Sequence, residues 1–93
     1  MREIELLYSM SVDLSTIVSA ATKLHLTVSM ECELKKWPGS RHWHLRKSGL
    51  SGTLEVTYWS HGERFWISYH QNRLGDGWVE RAANELASLL SQS

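Results

Sequence analysis

Residues 53–70 read TLEVTYWSHGERFWISYH, and this stretch decides the fold of the chain. Apolar residues alternate with other residues on both sides of His61-Gly62, which is the period of a β-strand that buries one face. A His-Gly pair suits a two-residue turn, because glycine adopts positive φ freely. The stretch therefore predicts two antiparallel strands, 53–59 and 64–70. The residues predicted to point inward are Leu54, Val56, Tyr58, Phe65, Ile67 and Tyr69.

Three further strands are predicted before this hairpin. Residues 42–47 alternate, with Trp43 and Leu45 inward, and a type II turn at Trp37-Pro38-Gly39-Ser40 precedes them. Residues 4–8 form a short first strand. Residues 26–35 also alternate, and their predicted inward residues are Val28, Met30, Cys32 and Leu34.

Two helices complete the pattern. Ser11 is the predicted N-cap of a helix over residues 12–24, and Asp76 is the predicted cap of the last helix. Both segments carry apolar residues at helical spacing. These residues are Leu14, Ile17, Val18, Ala21 and Leu24 in the first helix, and Val79, Ala82, Ala83, Leu86, Leu89 and Leu90 in the second.

The order β-α-β-β-β-β-α predicts an α+β fold, a two-layer sandwich with a mostly antiparallel sheet. Both helices have a single apolar stripe, so both are expected on one face of the sheet. A length of 93 residues predicts one domain spanning 1–93. The predicted core contains Leu14, Val28, Met30, Leu54, Val56, Phe65, Ile67 and Leu86.

Composition excludes several classes of protein. The hydrophobic fraction of 42% is too high for a disordered chain, and no apolar run approaches the length of a membrane span. The first residues lack the pattern of a signal peptide, and the single Cys32 cannot form an internal disulfide, so a cytoplasmic location is expected. The net charge of +0 disfavours a dedicated duplex-DNA binder, although residues 35–47 carry five basic residues and no acid.

The face of the sheet opposite the helices is the unusual feature. A four-residue loop between strands 42–47 and 53–59 would set Arg46 opposite Glu55 and His44 opposite Thr57. Trp59 and Trp66 are expected on this outer face, either open to solvent or covered by Trp37 and Trp78. Glu31 and Glu33 are expected to flank it. The predicted outer face contains His42, His44, Arg46, Glu55, Thr57, Trp59, Arg64, Trp66 and His70.

Two functions fit this face. Tryptophan and arginine are enriched at the centres of protein interfaces, which favours a non-catalytic module that binds a protein partner or a second copy of itself. The alternative is single-stranded nucleic acid, with Trp59 and Trp66 stacking on bases. The residues expected to meet its phosphates are Arg46, Arg64, Lys35, Lys36 and Lys47. The predicted binding residues are Trp59, Trp66, Arg64, Arg46, His44, His42 and His70.

Catalysis and metal binding are less favoured by the sequence. Cys32 is expected to point inward as inert core, and no phosphate-binding loop or nucleophile motif is present. His42-x-His44 resembles half of a metal site, with His70, Glu31 or Glu33 as a third ligand, but such pairs are common without a metal. The sequence therefore predicts no enzyme activity, no cofactor and no membrane partner.

Overall fold

One five-stranded antiparallel sheet organises the computed structural model, which describes residues 1–70 and 77–91. The strands lie in the order β1-β5-β4-β3-β2. The predicted sequence of elements and the α+β class are confirmed. The elements are β1 (Arg2–Glu5), α1 (Leu14–Lys23), β2 (Thr27–Cys32), β3 (Arg41–Arg46), β4 (Leu54–Trp59), β5 (Arg64–Tyr69) and α2 (Trp78–Ser91).

The core lies between the helices and one face of the sheet. All six residues predicted inward in β4 and β5 are buried there, together with Trp43 and Leu45 of β3. Helix α2 contributes the predicted stripe through Val79, Ala83 and Leu86. The predicted cap Asp76 lies outside the described residues, and no helix in residues 1–70 and 77–91 is long and apolar enough to cross a membrane.

Helix α1 begins two residues later than predicted. Asp13, not Ser11, is the N-cap, because its carboxylate accepts hydrogen bonds from the backbone and the hydroxyl of Thr16 in a capping box. The helix buries Ile17 and Ala21 of the predicted stripe, together with Ala20, and Leu24 packs against the core. Leu14 and Val18 are exposed, so the prediction of Leu14 as core is wrong.

A β-bulge in β2 reverses the predicted alternation. The pairing of β2 with β3 shifts between Val28 and Met30, so that Ser29 is an extra residue in the strand. Val28 still packs against the core, but Met30 is exposed opposite His44 and Cys32 lies opposite His42. The predicted inward positions of Met30 and Cys32 are therefore wrong. For the same reason Glu31 does not flank the outer face but pairs with Trp43 on the opposite side.

The register between β3 and β4 also differs from the prediction. The loop between them spans residues 47–53, longer than the four residues expected, and it sets His44 opposite Glu55 and His42 opposite Thr57. The β4–β5 register sets Trp59 opposite Arg64, which is the pairing that a two-residue turn at His61-Gly62 gives. The turn there spans residues 60–63, and Glu63, rather than Gly62, has positive φ.

Candidate functional site on the outer face of the sheet

The outer face is the side of the sheet turned away from α1 and α2. The register places two groups of side chains on it, one on β4 and β5 around Trp59 and Trp66, and one on β3 and β4 around His42, His44 and Glu55. We call them the aromatic cluster and the histidine cluster. The aromatic cluster is Trp37, Trp59, Arg64 and Trp66, and the histidine cluster is His42, His44 and Glu55.

Trp37 covers the aromatic cluster. Its ring lies 4.8 Å from the ring of Trp59 and 5.7 Å from that of Trp66, measured between centroids. The turn predicted around Pro38-Gly39 holds Trp37 there, since Ser40 N donates to Trp37 O and Trp59 Nε1 donates to Pro38 O. Trp66 is consequently 4% exposed, while Trp59 remains half-buried. Both tryptophans lie on the expected face, but only Trp59 offers its ring to solvent.

Arg64 is held over the same cluster. Its guanidinium lies 4.0 Å from the centroid of the Trp66 ring, and it forms an ion pair with Glu5 on β1. The hydrogen bond to Glu5 raises the pKa of Arg64 further above its usual value. Arg64 is therefore a fixed cation whose charge already has a carboxylate partner.

We expect Gly62→Ala to lower the free energy of unfolding by about 1–3 kcal/mol, the range of an overpacked site. A Cβ at residue 62 would overlap the ring of Trp59, which its hydrogen bond to Pro38 prevents from moving freely. Urea unfolding of the variant measures the loss. Gly77→Ala is the matched control, because a Cβ there has nothing within 4 Å. Equal stabilities of the two variants would contradict the packing of Trp59 against this turn.

The histidine cluster brings three polar side chains together at the centre of the sheet. Nε2 of His42 lies 3.1 Å from Oε1 of Glu55 and 3.1 Å from Nε2 of His44. Nδ1 of His42 lies 2.8 Å from Oγ1 of Thr57, the residue opposite it on β4. His42 is 4% exposed and Thr57 is buried, whereas His44 and Glu55 are half-buried.

The environment shifts the pKa of two members of this cluster. The hydrogen bond with His42 lowers the pKa of Glu55, against the opposing effect of partial burial, and the charges of His44 and His70 add to the lowering. Partial burial lowers the pKa of His44, and the charge of Glu55 opposes it. At neutral pH the cluster therefore contains an ionised carboxylate beside a neutral imidazole of His44.

Acidification is expected to destabilise the fold through these two groups. Each binds a proton less readily in the folded chain than in the unfolded chain, so falling pH favours unfolding. The stabilising contribution of His44 is complete above its usual pKa of 6.5 and is lost as the pH falls through its lowered folded value. For Glu55 the loss sets in below its usual 4.5. Between about pH 7.5 and 5.5, the free energy of unfolding measured in urea should fall less for His44→Gln than for wild type. Equal falls in the two proteins would contradict this account.

Two predicted binding residues lie beside the histidine cluster. A cleft lined by His44, Glu55, Arg46 and His70 opens at the end of β3 and β4. Arg46 and His70 are both exposed. The seven predicted residues thus divide between two groups, and they do not form one continuous tryptophan-centred patch. Trp59, Trp66 and Arg64 belong to the aromatic cluster, and His42, His44, Arg46 and His70 belong to the histidine cluster or its cleft.

Glu55 is the site residue that the sequence interpretation assigned wrongly. It was expected opposite Arg46, and the third partner of the histidine pair was sought in His70, Glu31 or Glu33. In the structure Glu55 fills that place. The length of the loop between β3 and β4 is the signal that could have identified Glu55. A shift of the β3–β4 register by two residues replaces Arg46 with His44 as the residue opposite Glu55.

Comparison with models of known protein families, with curated proteins and with solved structures finds no match to this chain.

Proposed function

We propose that the chain is a non-catalytic interaction module that binds a protein partner through the outer face, with the aromatic cluster as the centre of contact. The observation that supports this most is the fixed arrangement of Trp37, Trp59 and Arg64 at the surface. Tryptophan and arginine dominate the binding energy of protein interfaces. Side chains that are already ordered lose less conformational freedom on binding, so they suit such a role.

The charges around the cluster favour a protein over a nucleic acid. Arg64 forms an ion pair with Glu5 and lies near Glu3, and both carboxylates lie on the same face as the cluster, opposite Trp66 and Ser68. A phosphate chain on this surface would have to displace these carboxylates, which disfavours a polyanion. A protein partner tolerates a rim of mixed charge. A second copy of the chain is included among the partners, and the single Cys32 supports a cytoplasmic location.

Site-directed photocrosslinking tests the proposal. A benzophenone amino acid replaces Lys36, whose ammonium lies 5.3 Å from the ring of Trp37, and separately replaces Ser19 on α1 and Glu85 on α2. We expect partner adducts in cells from position 36 only. The mass of the adduct identifies a second copy or another protein. Adducts of equal yield at position 19, on the helix that exposes Leu14 and Val18, would overturn the assignment of the outer face.

Oligonucleotide titration distinguishes the alternative function. A stacked base quenches tryptophan fluorescence, and phosphate contacts weaken steeply between about 50 and 200 mM salt. We expect no quenching of Trp59 by a single-stranded oligonucleotide at either salt concentration. Quenching that is lost at the higher concentration, and lost in Trp59→Leu, would replace the protein partner with nucleic acid.

A further inference from the structure

Three potential metal-ligating atoms converge in the histidine cluster. Nε2 of His42 lies 3.1 Å from both Nε2 of His44 and Oε1 of Glu55, and the last two atoms are 3.6 Å apart. Ligand atoms that each lie about 2.0–2.2 Å from a zinc ion are separated from one another by roughly 3–3.5 Å. The three atoms therefore have the spacing of three ligands on one ion. Among residues 1–70 and 77–91, no other three His, Cys, Asp or Glu side chains form such a group.

We propose that His42, His44 and Glu55 bind a divalent transition-metal ion, with Zn²⁺ as the best fit. Two imidazole nitrogens and one carboxylate oxygen suit zinc and its neighbours, whereas Mg²⁺ and Ca²⁺ prefer oxygen ligands throughout. Three protein ligands leave a position for water or an exogenous ligand, the arrangement of open rather than purely structural zinc sites. The site is separate from the aromatic cluster and does not depend on the protein partner proposed above.

The strands hold the ligands in place. His42 and His44 are two residues apart on β3, so both imidazoles point to the outer face, and Glu55 lies directly opposite His44 on β4. Both strands are interior to the sheet, with neighbours on either side. Ligands on rigid strands need little rearrangement to bind an ion.

Thr57 orients the most buried ligand. Its hydroxyl lies 2.8 Å from Nδ1 of His42, which directs Nε2 toward His44 and Glu55. A metal-ligating histidine commonly has its second nitrogen held by an oxygen in this way. The hydroxyl can accept from Nδ1–H, which leaves the Nε2 lone pair directed at the ion.

The same atoms have an alternative without a metal. If Nε2 of His42 carries the proton, it donates to Glu55, and the Thr57 hydroxyl donates to Nδ1. Nε2 of His44 then shares that single proton as a second acceptor, 3.1 Å away. The two arrangements exclude each other, because an ion takes the place of the Nε2 proton. Metal titration therefore separates a binding site from a purely structural hydrogen-bond network.

Solvent reaches the site through the adjoining cleft. His44 and Glu55 line this cleft together with Arg46 and His70. An ion can enter and exchange its remaining water there without the sheet opening. Arg46 gives the cleft a positive group, so a small anion is the class of exogenous ligand that suits the open coordination position.

The test is calorimetric titration of the untagged full chain with Zn²⁺, together with the visible absorption spectrum after Co²⁺ is added. We expect one ion per chain and the intense spectrum of four- or five-coordinate cobalt. His44→Ala and Glu55→Gln each remove one ligand at a half-buried position, so both should fold. We expect each to weaken zinc binding by about 100-fold or more, since even removal of an outer-shell partner costs roughly 10–100-fold.

His25→Asn is the matched control. It removes an imidazole outside the cluster, and asparagine tolerates the positive φ of residue 25. The control should bind zinc as wild type does. The proposal is overturned if wild type binds no zinc at 100-fold molar excess, if the two ligand variants bind as tightly as wild type, or if the control loses as much affinity as they do. Circular dichroism of the metal-free variants confirms that any loss is not unfolding.

Discussion

Trp66→Ala is expected to lower the free energy of unfolding by about 3–5 kcal/mol, the cost of truncating a core aromatic residue. Its ring is buried although it lies on the outer face, because Trp37 and the guanidinium of Arg64 cover it. The substitution leaves a cavity beneath both groups and removes the contact with Arg64. Urea unfolding monitored by far-UV circular dichroism measures the loss.

Trp59→Ala is the internal comparison for that result. Its ring is half-buried and packs on one side against Trp37, so a smaller loss of about 1–2 kcal/mol is expected. If both rings were open to solvent, the alanine substitution at either position would lower the free energy of unfolding by about 1 kcal/mol or less. If Trp66→Ala also costs about 1 kcal/mol or less, Trp37 does not cover Trp66, and the description of the aromatic cluster is wrong.

Trp43→Ala is expected to have an effect as large, about 3–5 kcal/mol. Trp43 is fully buried on the helix side of β3, and its indole Nε1 donates to Glu31 Oε2 on the neighbouring strand. Truncation removes the largest buried side chain at this point and leaves Glu31 without that donor. Thermal unfolding, with the calorimetric enthalpy as a check on two-state behaviour, gives the value.

Trp43→Phe separates packing from the hydrogen bond. Phenylalanine refills much of the cavity but has no N–H, so the loss should fall to about 1–3 kcal/mol. A Trp43→Ala loss no larger than that of the exposed-site control Gly77→Ala would contradict the assignment of β3 faces. The assignment of His42 and His44 to the outer face would fail with it, because the three residues alternate on one strand.

Period-two alternation predicted the central strands correctly. In β4 and β5 every second residue is apolar and large, so only one assignment of the residues to the two sheet faces buries this set. The structure confirms that assignment at Leu54, Val56, Phe65 and Ile67. The same argument failed in β2. Ser29 is an extra residue opposite β3. Because its side chain is small and polar, the hydrophobic pattern of the sequence gives no sign of the bulge.

The site depended on features with weaker sequence signals. The register of β3 against β4 follows from the length of the loop over residues 47–53, which hydrophobic pattern does not determine. That register decides whether Glu55 meets Arg46 or His44. The sequence left open whether Trp66 is exposed to solvent or covered by another tryptophan. A turn such as Trp37-Pro38-Gly39-Ser40 does not indicate the direction in which its tryptophan points. Trp78, the other proposed cover, starts α2 and donates instead to Ser51 O.

The most direct test of the metal site on the outer face is the ¹⁵N spectrum of the histidine side chains during zinc titration. The chain has five histidines, and their ring nitrogens report separately on metal ligation. We predict that Nε2 of His42 and Nε2 of His44 shift together and saturate at one ion per chain, while His25 and His61 stay unchanged. Shifts confined to the exposed histidines, or no shift at His42 and His44 at saturating zinc, would contradict the account.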